Sequence, residues 1–211
     1  MKASTIESRA LVNLGMIVVY HLFSLVVYFI AANYYLGKPH IPAIPIDYKI
    51  PYIEFFVIIY IYAFYTLLVL TDLYYALIQT GKFRKYLFAA TLNVTLACLI
   101  YIVFPTRNII QAGNLPNTFL SELMQKYYEA DVAMNCLPSL HVASSILSAL
   151  FLYEDARKEY GWMALTTAIL VSISTIFVRQ HYVLDIPAGI LHALFVYWVI
   201  DLLPAMNCGE S

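Results

Sequence analysis

Charge is the scarcest commodity in this chain. Of 211 residues only 12% are Asp, Glu, Lys or Arg, about half the share typical of a soluble protein. The 12 basic and 13 acidic residues nearly cancel, leaving a net charge of −1, so no basic face is available for nucleic acid. Cysteine is scarce too. Cys98, Cys136 and Cys208 are odd in number and far apart, which excludes a disulfide framework and any metal-ligand spacing. They read as small apolar fillers. No segment is of low complexity and no repeat is visible.

What is present is apolar: 62% of residues are hydrophobic and mean hydropathy is +0.75. A membrane core of ~30 Å requires ~20 mostly apolar helical residues. Six runs approach that length: about 11–35, 53–78, 86–104, 139–153 (the short one), 162–178 and 182–203. The first is too long for a cleavable signal peptide and lacks a small-residue cleavage site. The expected fold is therefore all-α: a polytopic membrane protein of six transmembrane helices in one bundle, a single domain over 1–211. Polar connectors separate the runs. The stretch 36–51 is punctuated by proline and cannot continue a helix. The one long connector, 105–137, contains TFLSELMQKYYEA, which has the pattern of an amphipathic surface helix.

With the N-terminus in the cytoplasm, six spans place Lys2, Arg9, Lys82, Arg84, Lys85, Arg157 and Lys158 inside. Lys38, Lys49, Arg107, Lys126 and Arg179 then lie outside. Seven against five favours cytoplasmic termini. Tyr34, Tyr35, Tyr101 and Tyr182 fit an interfacial aromatic belt. Counting spans also brings three polar segments to one face, the exoplasmic one: FPTRN (104–108), CLPSLHVASS (136–145) and VRQHYVLD (178–185).

Their residue types suggest one chemistry. His181 and Asp185 are four apart, so a helix starting near Tyr182 would set them on one face. A carboxylate on one ring nitrogen fixes the tautomer and leaves the other nitrogen nucleophilic. In PSLH, a proline, Ser139 and His141 stand at a helix N-terminus, where backbone N–H groups favour an anion. Ser139 can also be a plain N-cap. Arg107 and Arg179 border the same surface, and guanidinium forks suit phosphate oxygens, although interfacial arginines also snorkel. Together these describe metal-free phosphoryl transfer through a phosphohistidine, with His141 as the acid.

PSLH followed by His181 and then Asp185 resembles the type-2 phosphatidic acid phosphatase superfamily, which also includes vanadium haloperoxidases and sphingolipid synthases. The family pattern is Lys, six residues, Arg-Pro; then Pro-Ser-Gly-His; then Ser-Arg, five residues, His, three residues, Asp. Here Arg107, Ser139, His141, Ser174, His181 and Asp185 fit. Ile100 stands for the lysine, Asn108 for the proline, Leu140 for the glycine and Thr175 for the second arginine. The resemblance covers about 100–190 and leaves the first two spans outside.

FPTR, PSLH and QHYVLD look like the branch of inositol phosphorylceramide synthases and their bacterial relatives, which move a phosphorylated headgroup between lipids. By this resemblance His181 attacks phosphorus and Asp185 orients it. His141 protonates the departing oxygen and then deprotonates the acceptor. Arg107, Ser139 and N–H groups near Leu140 hold the phosphoryl oxygens, and Arg179 can replace a lost charge. No cofactor is implied, and the partner is a membrane lipid. A lipid acceptor makes the enzyme a transferase, the favoured reading; water makes it a phosphatase. Two readings of another class stand beside these: haem ligation by His21 and His192, and a zinc site of His141, His181 and Asp185. Otherwise His21 and His192 are packing histidines, and Glu54, Asp72 and Asp201 read as interfacial.

Overall fold

The computed structural model describes residues 2–111, 113–131 and 133–203. Among these described residues seven helices follow one another: α1 (Lys2–Asn33), α2 (Phe56–Ile78), α3 (Phe83–Val103), α4 (Phe119–Ala130), α5 (Leu140–Asp155), α6 (Lys158–Phe177) and α7 (Asp185–Asp201). Among the described residues there is no strand. Two isolated bridges, His40 with Thr106 and Arg107 with Met134, tie the loops at one end.

The chain is an all-α membrane protein, but six full spans are not what the helices support. Four are long and apolar enough to cross: Ser8–Asn33, Phe56–Ile78, Phe83–Val103 and Lys158–Phe177. Helices α5 and α7 have 16 and 17 residues, about 24–26 Å at 1.5 Å per residue. The reason is local. An apolar run does not mark a helix start: Ser139 is an extended cap, and residues 178–184 form a turn rather than the first part of α7.

The core is continuous along α5. Leu147 and Phe151 pack with Tyr75, Phe83, Tyr86, Val196 and Ile200, joining α2, α3, α5 and α7. Further along, Leu67, Ala149, Leu152, Ala164 and Ala168 join α2, α5 and α6. Helix α2 is interrupted by two π-turn stretches, Ile59–Ala63 and Tyr74–Ile78. Such bulges rotate side chains out of the regular register. The first carries Tyr60 to the site described below. In the second, Tyr75 donates to the Asp155 carboxylate at 2.6 Å.

Helix α1 is peripheral. Its face of Val18, Val19, Leu22, Leu25, Val26 and Phe29 is exposed, as expected against lipid. Polar contacts pin it: Asn13 Nδ2 donates to Ala76 O at 3.1 Å, and His21 Nε2 meets Asp72 Oδ2 at 2.8 Å.

The two ends of the bundle differ. One gathers Lys82 on Asp155 (2.6 Å), Lys85 on Asp201 (3.4 Å) and the rest of the basic stretch 80–85. The other gathers the loop residues 34–55, 104–111, 113–118, 133–139 and 178–184, joined by backbone hydrogen bonds. Helix α4, capped by the Thr118 side chain, lies at this second end with Met124 fully buried against Val57, Tyr60 and Val178.

Candidate functional site

His181 sits in the turn between α6 and α7. Its neighbour Arg179 has φ +54°, a left-handed conformation that side chains rarely adopt. The turn is closed by hydrogen bonds from the N–H groups of Gln180 and His181 to Thr175 O. Asp185 opens α7. Its Oδ2 accepts from Tyr182 N–H at 2.9 Å and from His181 Nδ1 at 3.0 Å. The expected pair is present, but not on one helix face. His181 precedes the helix, and the first carboxylate of α7 reaches back to it. His181 Nδ1 also meets Cys136 O at 3.1 Å. A carbonyl and a carboxylate both accept, so Nδ1 carries the proton and Nε2 is the unprotonated nitrogen of the neutral ring. Asp185 is fully buried, and its Oδ1 has no protein donor.

His141 stands one residue inside α5, facing His181 edge to face with ring centroids 5.7 Å apart. Ser139 caps the helix: its Oγ accepts from Val142 N–H at 3.4 Å. Ser139 N–H donates to Asp185 O at 3.4 Å, which joins the starts of α5 and α7. That approach requires a glycine opposite. A Cβ on Gly189 would fall 2.8 Å from both Ser139 O and Val142 Cβ. Leu140, at the first helical position, is half-buried, and first-turn N–H groups have no intrahelical acceptor.

The two arginines part company. Arg107 is exposed and its side chain has no protein partner among the described residues. Its backbone is fixed: N–H to His40 O at 2.8 Å, and O accepting from Tyr182 Oη at 3.2 Å. Burial pushes the Tyr182 phenol up to about 12, so it remains a donor. The Arg179 guanidinium donates twice to Ile50 O, at 3.2 and 2.8 Å, so it braces the loop before α2. Asn108, where the family has proline, donates to the carbonyls of Arg179 and Gln180 and locks the 105–109 segment onto the His181 turn.

Elsewhere, Asp72 is not interfacial. It is 3% exposed and bonded to His21 and, at 2.6 Å, to Tyr86 Oη. Glu54 accepts from Thr118 Oγ1 beside the start of α4, and Asp201 is exposed beside Lys85. His192 Nε2 bonds Asn93 O at 2.9 Å. With His21 on Asp72 and His192 on Asn93, each histidine has its own protein partner. Among the described residues no three His, Cys, Asp or Glu side chains are grouped to hold a metal. Cys98 and Cys136 are buried and free, and burial holds the Cys136 thiol well above its usual value; Cys208 lies outside the described residues.

Comparison with known proteins decides the family. A family model described as the PAP2 superfamily matches residues 47–199. The chain belongs to the PAP2 superfamily. Its long apolar helices are those of an integral-membrane protein. The match begins well before residue 100, so it takes in α2, which the motifs alone had left out. Over 151 residues the chain is 32% identical to an uncharacterized protein of Methanocaldococcus jannaschii, covering 69% of this chain and 59% of that one. Over 75 residues it is 40% identical to the bacitracin transport permease protein BcrC of Bacillus licheniformis, covering 33% and 36% respectively. The chain thus spans under two thirds of the curated relatives it matches. No solved structure matches.

Sequence reasoning missed the walls of the site. His141 lies between Tyr60 (centroids 4.5 Å) and Phe64 (4.6 Å) of α2. Tyr127 Oη of α4 meets its Nε2 at 3.1 Å, and Tyr60 Oη meets its Nδ1 at 3.4 Å. With 19 tyrosines in the chain, nothing in the local pattern singles these two out. Asn135 is a second omission. It is buried at φ +66°, and neither side-chain polar atom has a protein partner; Gln180 Nε2, beside His181, also has none.

Proposed function

We propose that this PAP2 protein transfers phosphoryl groups from membrane lipid phosphoesters through a phosphohistidine at His181. The observation that carries this is the Nδ1 geometry. Both neighbours of Nδ1 accept, which leaves Nε2 with its lone pair and His141 facing it. Nε2 attacks phosphorus while the bond to the lipid oxygen breaks. The Asp185 carboxylate, also held by Tyr182 N–H, stabilises the positive charge that develops on the ring. His141 serves the departing oxygen and then the acceptor. Arg107 and the first-turn N–H groups at Leu140, with Ser139 shaping that turn, bind the phosphoryl oxygens. Arg179 contributes by bracing the turn. The buried amides of Asn135 and Gln180 are donors of the right kind to replace the cations that this chain lacks. An unpaired buried donor costs about 1–3 kcal/mol, which a bound phosphate would remove.

The favoured acceptor is a lipid hydroxyl, supported by the aromatic enclosure of His141 between Tyr60, Phe64 and Tyr127. Hydrolysis is the second reading, supported by family membership. The site belongs on the exoplasmic face, because the basic stretches 80–85 and 157–158 lie at the opposite end. Labelled phospholipids incubated with the purified protein, with and without diacylglycerol or ceramide and resolved by thin-layer chromatography, test the reading. A new acceptor-dependent lipid is the expected product. Free phosphate at an acceptor-independent rate would establish hydrolysis, and neither product across the panel would overturn the proposal.

A further inference from the structure

Both nitrogens of His141 end on a phenol. Nε2 meets Tyr127 Oη at 3.1 Å and Nδ1 meets Tyr60 Oη at 3.4 Å. A proton leaving this ring in the observed conformation must therefore pass through a tyrosine hydroxyl or wait until one withdraws. Tyr127 is poorly placed to withdraw. Its helix is capped by Thr118, buries Met124, and carries Tyr128, whose Oη donates to Val178 O in the turn before His181. The Tyr127 ring is further held edge to face against Tyr60, with centroids 5.3 Å apart. Burial holds the Tyr127 phenol above its usual value, so it stays protonated and can give a proton only as it receives one.

We infer that Tyr127 is a catalytic residue, the hydroxyl through which His141 exchanges its proton with the substrate. This rests on the phosphohistidine reading above. In the first half-reaction the P–O bond to the leaving alcohol breaks as the bond from phosphorus to His181 Nε2 forms. The electron pair of the broken bond stays on the alcohol oxygen. Burial and the neighbouring His181 favour the neutral His141 ring, so its cationic form belongs to the complex with the phosphate anion; there the leaving oxygen takes the Tyr127 hydroxyl proton, and Tyr127 Oη takes the Nε2 proton of cationic His141, which becomes neutral. In the second half-reaction the acceptor O–H gives its proton to Tyr127 Oη, whose own proton returns to His141. The acceptor oxygen bonds phosphorus and the P–N bond breaks. The phenol ends each cycle as it began. Tyr60, at the longer contact on Nδ1, orients the ring.

Leaving groups separate a proton relay from a structural role. A dodecyl alkoxide needs a proton as it departs, whereas p-nitrophenolate leaves without one. Single-turnover release of dodecanol and of p-nitrophenol from the two phosphate esters, in detergent micelles, is the measurement. Tyr127→Phe is expected to slow dodecanol release roughly 100-fold and p-nitrophenol release at most a few-fold. His141→Ala should show the same selectivity, and the double variant should be no slower than either single one. Equal losses on both esters, no loss on either, or tighter binding with undiminished turnover would overturn the relay. His181→Ala run in parallel isolates the parent reading. Activity surviving in His181→Ala removes the phosphohistidine itself. An inactive His181→Ala beside an unselective Tyr127→Phe removes only the relay.

Discussion

Among the described residues stand two histidine–aspartate pairs of nearly equal length, and they differ in nearly everything else. His181 and Asp185 are four residues apart and 3.0 Å from each other; His21 and Asp72 are 51 apart and meet at 2.8 Å. Asp72 has both oxygens engaged, one by His21 and one by Tyr86, and the His21 side chain is 44% exposed on the outer helix. Asp185 has one oxygen shared by His181 and a backbone N–H, and the other has no protein donor in a fully buried position. A second imidazole faces His181; at Asp72 the groups are Tyr20, His21, Tyr86 and, nearby, Asn93, Ser144 and Ser148. The carboxylate with both oxygens satisfied acts as a tether across helices. The one with spare capacity, a neighbouring imidazole and helix N-termini around it is the one we propose as a site.

Substitutions can break this contrast. The largest effect is expected from His181→Ala, which should lower phosphoryl transfer by at least about 1000-fold with the thermal transition in detergent unmoved. Asp185→Asn should follow. It keeps the shape but loses the charge that fixes the tautomer, and turnover should fall by about 100- to 1000-fold in the same lipid assay. Gly189→Ala should act through packing. The added methyl forces α5 away from α7 at the Ser139–Asp185 contact, which should cost about 1–3 kcal/mol of stability and reduce turnover as well. Asp72→Asn should have the smallest effect, a loss of about 1 kcal/mol in unfolding measurements with turnover per folded molecule retained. An Asp72→Asn protein that is stable but inactive would erase the distinction between the pairs.

The readable part of the site was the part written locally. VRQHYVLD and PSLH carry their chemistry within eight and four residues, and the turn and the cap place His181, Asp185 and His141 together. The departures at Ile100 and Thr175 were legible as lost charge, and that at Asn108 as a lost proline. That Asn108 locks the His181 turn was not, because its acceptors lie 71 and 72 residues away. Tyr60 and Tyr127 were hidden because an apolar run does not reveal a π-turn, and an amphipathic pattern does not say what the helix covers. The amphipathic segment itself was visible, and it forms α4. Asp72 was misread as interfacial because its position near the end of an apolar run says nothing of His21, on a helix 51 residues earlier. The span count met four long apolar helices and two shorter ones for a related reason. Hydropathy fixes which residues avoid water, whereas Ser139 and the 178–184 turn decide where α5 and α7 begin.

The central claim is that His181 Nε2 becomes covalently phosphorylated. Rapid quench of turnover into alkali with a phosphate-labelled lipid, followed by peptide mapping, tests it most directly. An acid-labile, alkali-stable label on the peptide containing His181, missing from His181→Ala, is the predicted result. Label on another residue, or none while the product forms at full rate, would contradict the account.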